Sequence, residues 1–107
     1  MSYEKMRVFC MFDLPTDTAK EQKQYRIFRK GLIANGFTML QYSVYQRPVP
    51  NRRAGKKYEA IIRKFIPQNG DVRLMYVSEK QFADMCILVG DKTYQEEIVA
   101  DNKMVVI

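Results

Sequence analysis

The apolar run Met6–Phe12 (MRVFCMF) constrains the fold of this chain more than any other segment. It predicts a strand that is buried on most of both faces, because only Arg7 interrupts the apolar side chains. Asp13-Leu14-Pro15 follows directly, and Pro15 ends the strand because proline is excluded from the interior of a sheet. Since the chain has 107 residues, we expect a single domain with one modest core.

Helical and strand-like patterns alternate along the rest of the chain. The first part of the chain predicts a helix over about residues 18–34 and one bent or two short strands over 37–47, which Pro48 and Pro50 end. The rest predicts a helix over about 54–66, a strand over 72–77, a short helix over 79–84, a strand over 85–89 and an apolar tail over 104–107. This order favours an α+β sandwich with both longer helices on one face of a sheet. The ferredoxin-like βαββαβ arrangement is the simplest candidate, with its core in about residues 1–90 and a loop over 91–102.

Capping and periodicity support the two longer helices. Thr16 or Asp17 is suited to cap the first helix, whose core side carries Tyr25, Phe28 and Leu32. The second helix has the most regular pattern in the chain. Its apolar positions are Tyr58, Ile61, Ile62, Phe65 and Ile66.

The apolar tail needs a partner strand, because an exposed apolar strand at a sheet edge promotes association. Its residues are Met104, Val105, Val106 and Ile107. The tail either pairs with the sheet of a second subunit or closes an edge of its own sheet. The first alternative predicts a homodimer.

The chain contains no histidine, and this absence removes several chemistries. Ser-His-Asp hydrolysis, Cys-His proteolysis, histidine-based RNA cleavage and histidine-rich zinc sites all need an imidazole. Catalysis therefore has to come from carboxylates, Lys, Tyr, Ser or Cys, or from a metal held by oxygen ligands.

The two cysteines indicate a reducing compartment. Cys10 and Cys86 each lie in an apolar run and form no CxxC motif, so we expect two buried, reduced thiols. The N-terminal sequence lacks the pattern of a secretory signal, and no apolar stretch approaches the roughly 18 residues of a membrane span. These features predict a soluble, cytoplasmic protein without a membrane partner.

Positive charge is concentrated in the first part of the chain. Residues 1–67 carry 14 Lys and Arg against 5 Asp and Glu, whereas residues 68–107 carry 4 against 7. This asymmetry indicates either an ordinary solvated surface or a face that binds a polyanion, for which nucleic acid is the leading candidate. The candidate nucleic-acid-binding residues are Lys20, Lys23, Arg47, Arg52, Arg53, Lys56 and Lys57. The last four lie at the start of the second helix, where cations oppose the helix dipole, so phosphate contact explains them better than local stability does.

Asp13 is the candidate catalytic and metal-binding residue. It lies at the end of the buried strand, directly before a turn and a helix start, where ligands often bind in α/β-type sheets. Its carboxylate either caps amides of the turn or binds a hard divalent cation such as Mg²⁺. One carboxylate alone is a poor site. A homodimer that brings two copies of Asp13 together would supply a pair that holds Mg²⁺ and activates water for phosphodiester hydrolysis.

Two other residue types are candidates for the same site. Ser43 either hydrogen-bonds towards Asp13 or is a small residue beneath a helix. The tyrosines either stack on nucleobases or pack in the core, and most have the spacing of core residues. They are Tyr42, Tyr45, Tyr58 and Tyr76.

Short motifs in a fixed order carry a resemblance to a known family. FDLPTDT ends the first strand, YRIFRKGLIANGF lies in the first helix, MLQYSVYQR spans the next strand region, and SEKQF begins the short helix. In these motifs, their spacing and its total length, the chain resembles the small CRISPR-associated endoribonuclease family of the adaptation machinery. This family is the second of the two universal spacer-acquisition proteins. The segments MFDLPTDT and QYSVYQR are most similar in sequence to members from type II systems.

The resemblance implies a ferredoxin-like homodimer in which the terminal strand of each subunit completes the sheet of the other. It implies that Asp13 is the metal-binding aspartate near the dimer axis. It also implies that two dimers of the family's integrase flank one dimer of this protein, which holds duplex DNA for insertion as a new spacer. Family members are further described as metal-dependent nucleases on single-stranded RNA or double-stranded DNA. Two alternatives stay open: a DNA-binding bridge that positions the integrase and does no chemistry, and a stand-alone toxin ribonuclease of similar fold, which needs no integrase.

Overall fold

The computed structural model describes residues 5–90, which form one antiparallel sheet with helices packed against it. Its elements are β1 (Met6–Asp13), α1 (Ala19–Ala34), β2 (Thr38–Gln41), β3 (Val44–Val49), α2 (Arg52–Gly55), α3 (Lys57–Arg63), β4 (Asp71–Ser78) and α4 (Glu79–Ala83). The strand order is β2-β3-β1-β4, and each neighbouring pair is antiparallel. This is the ferredoxin-like arrangement of an α+β protein, so the predicted fold class is confirmed.

β1 lies at the centre of the sheet, which explains why its sequence is almost continuously apolar. β3 flanks it on one side, from Val49 opposite Met6 to Val44 opposite Met11, and β4 flanks it on the other along its whole length. Alternate side chains of β1 point to the helices and enter the core. The core residues are Val8, Cys10, Phe12, Phe28, Leu32, Phe37, Tyr45, Val49, Tyr58 and Ile62.

The start of α1 differs slightly from the prediction, because its N-cap is Thr18 rather than Thr16 or Asp17. The Thr18 hydroxyl accepts a hydrogen bond from the Glu21 amide at 3.1 Å, and the Glu21 carboxylate accepts one from the Thr18 amide at 3.0 Å. This reciprocal capping box needs Glu or Gln three residues after the cap. The position of Glu21 therefore makes Thr18 the N-cap of α1.

The core side of α1 is as predicted. Phe28 and Leu32 are fully buried, and Tyr25 packs against the same cluster from its edge. Gly31 faces the ring of Phe65, and a Cβ added at Gly31 would lie 2.6 Å from that ring. The missing side chain lets α1 approach the segment that follows α3.

The segment after α1 forms two short strands, which was one of the two predicted outcomes. A two-residue turn joins β2 to β3, and their pairing shifts register between Met39 and Gln41. β3 continues through Pro48 to Val49, so of the two prolines predicted to end the strand Pro50 does so and Pro48 does not. Proline fits there because β2 pairs no further than Gln46, and beyond that point β3 needs no amide donor on that side.

The prediction of one helix over about 54–66 is also wrong. Two shorter helices, α2 and α3, occupy this part of the chain and are separated at Lys56. Asn51 caps α2, and its Oδ1 atom accepts a hydrogen bond from the Ala54 amide at 2.7 Å. Gly55 is buried against the sheet, where an added Cβ would lie 2.8 Å from the Tyr76 ring. The backbone therefore approaches the sheet more closely than a regular helix with side chains would allow.

The end of α3 at Arg63 decides which of the predicted apolar side chains enter the core. Tyr58 and Ile62 are buried, Ile61 and Phe65 are partly buried, and Ile66 remains 42% exposed. A continuous helix would direct all five side chains to one face, but α3 ends at Arg63 and leaves Ile66 at its rim.

β4 and α4 match the predicted strand and short helix, but the strand predicted over 85–89 is wrong. α4 has the predicted capping box between Ser78 and Gln81. The residues after it form no strand, and Leu88 and Val89 are 88% and 93% exposed. An apolar run needs a sheet edge to pair with, and in the described part of the chain this segment has no such neighbour.

The two cysteines differ in environment. Cys10 is buried in the core, and burial raises the pKa of its thiol to about 12. Cys86 is exposed, so the prediction of two buried thiols is wrong for this residue. It follows α4 in the segment that has no sheet neighbour, which explains its exposure.

Two of the predicted segments lie outside the described residues. The apolar tail over 104–107 and the loop over 91–102 belong to this part, so pairing of the tail stays a prediction. Within residues 5–90, none of the helices is long and apolar enough to cross a membrane.

Arg7 is a charged residue in the interior of β1, and it is only 4% exposed. Its guanidinium donates to the Glu79 carboxylate at 2.5 and 3.2 Å and to Oε1 of Gln46 at 2.7 Å. The guanidinium carbon also lies 4.2 Å from the centre of the Phe82 ring. These contacts compensate the buried charge and hold α4 on the sheet.

The substitution Glu79→Ala leaves the Arg7 guanidinium buried without its carboxylate. We expect the free energy of unfolding to fall by about 2–3 kcal/mol, less than for a fully buried pair because the Glu79 side chain is 29% exposed. Urea denaturation followed by circular dichroism measures this loss. The matched control is Lys80→Ala at the next, exposed position of α4, which should change stability by no more than about 0.5 kcal/mol. Equal stability of the two variants would show that the ion pair does not hold α4.

Candidate functional site

Asp13 lies at the end of β1, on the side of the sheet away from α1 and α3. The even-numbered residues Val8–Phe12 enter the core beneath these helices, so the odd-numbered Phe9, Met11 and Asp13 face the other side. We refer to the side that carries Phe9, Met11 and Asp13 as the open face. α4 covers one end of it, where Phe82 contacts Phe9, and Asp13 at the other end is exposed.

Asp71 lies directly opposite Asp13 in the sheet. The register of β1 and β4 pairs the two residues, and side chains paired in this way lie on the same face. Two exposed carboxylates of one chain therefore stand side by side at the end of the sheet. Arg73 is close to the pair, with Nη2 3.7 Å from Oδ1 of Asp71.

The sequence alone does not point to Asp71. The available signal was only an acidic residue at the start of a predicted strand. Nothing in that segment alone fixes its register against β1, and the register is what brings Asp71 to Asp13.

The turn after Asp13 does not use that residue as its cap. The amides of Asp17 and Thr18 both donate to Oε1 of Glu21, at 3.0 Å each. Gln22 binds the carbonyl oxygen of Thr16 at 3.2 Å. Within residues 5–90, the turn amides are therefore capped by Glu21 and not by Asp13, which was one of the two roles predicted for Asp13.

Asp13 and Asp71 line a shallow depression of about 360 Å³ on the open face. Its other lining residues are Met11, Phe12, Ser43, Val44 and Arg73. Ser43 lies in the β2–β3 turn, and its carbonyl oxygen accepts a hydrogen bond from the Phe12 amide at 3.0 Å. The link between Ser43 and the Asp13 region thus runs through the backbone.

The donor set of the depression suits a hard divalent cation. Mg²⁺ is commonly held by one or two carboxylates, with water completing its octahedral shell. Asp13 and Asp71 provide two carboxylates at a surface open to water. Residues 5–90 contain no group of three or more Asp, Glu, Cys or His side chains able to hold a metal ion, so further ligands have to be water or another chain.

Most basic candidates lie in the helix layer, on the opposite side of the sheet from the open face. The exposed members are Lys20 and Lys23 on α1, Arg52 and Arg53 on α2, and Lys56 and Lys57 at the junction with α3. We refer to these six residues as the basic layer. A polyanion bound across it lies on the other side of the sheet from the carboxylate pair.

Arg47 differs from the other basic candidates because its side chain is engaged inside the fold. Nη1 donates to the carbonyl oxygen of Asn35 at 2.9 Å, and the guanidinium carbon lies 4.7 Å from the centre of the Tyr58 ring. Gly36, at a φ of 83°, leaves space for this guanidinium, since an added Cβ would meet Nη1 at 1.6 Å. These contacts close the α1–β2 turn, and a nucleic-acid contact of Arg47 stays a prediction.

Comparison with known proteins decides the family. The family model described as CRISPR associated protein Cas2 matches residues 6–85, which extend from β1 past α4. The chain belongs to the Cas2 family. It is 41% identical over 100 residues to the CRISPR-associated endoribonuclease Cas2 of Ligilactobacillus salivarius, a match that covers 94% of this chain and 99% of that protein. A Cas2 of the same description from Streptococcus mutans serotype c is 46% identical over 87 residues, covering 81% and 80%.

A solved structure supports the Cas2 fold. The chain is similar to a protein described as "Crystal structure of cas2", with a TM-score of 0.58, and the match covers 84% of this chain and 92% of the other. The identity is 17%, so this likeness shows the fold alone. The Cas2 family match includes Asp13, Ser43 and Asp71, so the whole depression lies within the family region.

The negative charge of Asp13 should slightly lower the stability of the fold, because Asp71 lies directly opposite. Asp13→Asn removes like-charge repulsion across β1 and β4, so we expect the free energy of unfolding at pH 7 to rise by up to about 1 kcal/mol. Chemical denaturation measures the change, and Asp17→Asn, on the same turn but outside the pair, is the control. If Asp13→Asn instead lowered stability by about 1 kcal/mol or more, Asp13 would be a structural cap.

Proposed function

We propose that this chain is a CRISPR adaptation protein that dimerises, binds duplex DNA and bridges two integrase dimers during spacer acquisition, and that Asp13 supports metal-dependent phosphodiester cleavage. The observation that carries the proposal is the separation of two surfaces by one sheet. The carboxylate pair has the chemistry for a metal ion and a scissile phosphodiester. The basic layer has the charge for the backbone of a duplex.

Asp13 is the proposed centre of cleavage, and Mg²⁺ is the proposed cofactor. A divalent cation bound there supplies Lewis-acid activation of water and of the phosphate. The chain itself contributes the carboxylate, which the end of β1 holds at the surface of the depression. The relatives carry the name endoribonuclease, which favours RNA as a substrate. We propose single-stranded RNA and double-stranded DNA as the two candidate substrates.

The open face suits burial against a second copy of the chain. Met75 is 45% exposed on this face, and Met11 and Val44 are partly exposed. Apolar side chains that line a depression together with carboxylates are a common feature of interaction surfaces. In a two-fold dimer through this face the two copies of Asp13 approach each other, and the tail Met104–Ile107 pairs with the partner's sheet.

The basic layer is built to present charge to solvent. Arg52 lies 5.0 Å from the centre of the Tyr76 ring, and the Lys57 ammonium lies 5.2 Å from that of Tyr58. Both residues are exposed, so their charged groups lie over aromatic rings and still stay accessible to solvent. Contacts of this kind bind phosphates without reading sequence, which is what a protein that accepts any spacer needs.

The variant Asp13→Asn separates cleavage from assembly. We expect metal-dependent cleavage of labelled single-stranded RNA and duplex DNA to fall by at least about 100-fold, because the amide is a weak ligand for a hard cation. Duplex binding, co-purification with the neighbouring integrase and spacer integration should remain. Asp17→Asn is the control and should cleave normally.

Two outcomes would contradict this reading. Cleavage that survives Asp13→Asn would remove Asp13 from the site. Cleavage of RNA by a chain that never co-purifies with an integrase would favour the stand-alone toxin ribonuclease of similar fold.

Charge reversal of the basic layer tests its contact with DNA. A variant with Arg52→Glu, Arg53→Glu, Lys56→Glu and Lys57→Glu should bind duplex DNA more weakly. For every phosphate that the variant no longer neutralises, the slope of log affinity against log salt should become shallower by about 0.9. Fluorescence anisotropy across a salt series measures both effects. The control is Lys80→Glu on α4, outside the basic layer, and an unchanged salt slope in the multiple variant would rule the basic layer out.

A further inference from the structure

One tyrosine in the described part of the chain lies outside the core. Tyr45 and Tyr58 are buried, at 2% and 5% exposure, and Tyr76 is half-buried with its hydroxyl donating to Glu59 at 2.6 Å. Tyr42 is 80% exposed. Of the four tyrosines for which packing and stacking were alternatives, Tyr42 is the one that packing does not explain.

A well-anchored turn presents Tyr42 to solvent. Tyr42 and Ser43 together form the β2–β3 turn, and the φ of 67° at Ser43 is the one positive value at a non-glycine residue in the described chain. This conformation costs an L-residue about 1–2 kcal/mol, and such strain is concentrated at functional sites. The hydrogen bond from the Phe12 amide to the Ser43 carbonyl oxygen fastens the turn to the end of β1, next to Asp13.

The Tyr42 side chain has Tyr25 of α1 as a neighbour. Burial raises the pKa of Tyr25, and a side-chain hydrogen bond with Tyr42 raises it further. The Tyr25 ring packs edge-on against Phe12, with 6.1 Å between the ring centres. Tyr42 therefore has a partly buried neighbour on α1, while most of its own surface stays open to solvent.

We propose that Tyr42 stacks on an unpaired nucleobase of a nucleic-acid strand whose backbone reaches Asp13. The inference rests on the proposed function, because it takes the phosphodiester at Asp13 as given. Ser43 lines the depression that contains Asp13, and Tyr42 is the adjacent residue of the same turn, so a strand that leaves the depression past Ser43 at the end of the sheet reaches the turn that carries the ring.

The class of ligand follows from the chemistry of stacking. Every nucleobase has a π-face, so an exposed tyrosine accepts any sequence. Bases inside a duplex are already stacked on their neighbours and are not available to the ring. The ligand is therefore single-stranded RNA or DNA, or the unpaired end of a duplex, which is a different contact from that of the basic layer.

Binding of a short fluorescein-labelled DNA strand of mixed sequence to the full-length protein tests the proposal, with Ca²⁺ in place of Mg²⁺ to prevent cleavage. The comparison probe is an abasic strand of the same length and charge. Tyr42→Ala should weaken binding of the base-containing strand by about 5- to 100-fold and leave the abasic strand unaffected. Tyr42→Phe keeps the ring and should retain affinity within about twofold. Met39→Ala, which removes a 54% exposed side chain from β2 of the same hairpin, is the matched control.

The possible results separate this inference from the proposed function. Unchanged binding by Tyr42→Ala overturns the stacking proposal, and the proposed function stands if Asp13→Asn still abolishes cleavage. Equal weakening on both strands, or an altered elution volume in gel filtration, also overturns stacking, because Tyr42 then acts through the fold or the dimer. If the unaltered protein binds neither strand nor duplex DNA, the nucleic-acid part of the proposed function fails together with the stacking proposal.

Discussion

β1 and β4 pair along their whole length, and different side chains meet at the two ends of this ladder. At one end the buried Arg7 binds Glu79, which directly follows β4. At the other end Asp13 lies opposite Asp71. Because side chains alternate between the two faces of a sheet, a slip of one residue would turn Asp71 to the helix side and separate the carboxylates. The Arg7–Glu79 contact therefore supports the register on which the candidate site depends.

The same alternation assigns different chemistry to the two sides of the sheet. Helix-facing residues of β1 form the core that holds α1 and α3, and the exposed faces of α1, α2 and α3 carry the basic layer. Open-face residues lead from the covered end at Phe9 to the exposed Asp13. A chain without histidine has few routes to phosphodiester chemistry, and two carboxylates at a water-exposed edge provide one of them.

The sequence predicts those features that a local pattern encodes. The central strand follows from the apolar run Met6–Phe12, and the first helix follows from its periodicity, although Glu21 places the cap at Thr18. The ferredoxin-like order and the place of Asp13 at the end of the central strand therefore follow from the sequence. Asp71 could not, because its importance lies in a register between strands that are distant in the sequence.

Other errors arise where the three-dimensional context overrides a local pattern. The regular apolar spacing of residues 58–66 predicts one long helix, but close packing of Gly55 on the sheet coincides with a break at Lys56. The apolar run 85–89 predicts a strand, but no described sheet edge receives it. Arg47 has the charge of a surface residue, and only the structure shows its guanidinium beside Asn35 and Tyr58.

The central claim is that Asp13 is a metal ligand at the end of β1. Anomalous diffraction from crystals of the full-length protein grown with Mn²⁺, used as a stand-in for Mg²⁺, tests it most directly. The account predicts an anomalous peak on the open face at about 2.1 Å from an Asp13 carboxylate oxygen, close to the metal–oxygen distance of Mg²⁺. It also predicts that this peak disappears in Asp13→Asn crystals. A peak that persists in that variant, or the absence of any peak at Asp13 in the unaltered protein, would contradict it.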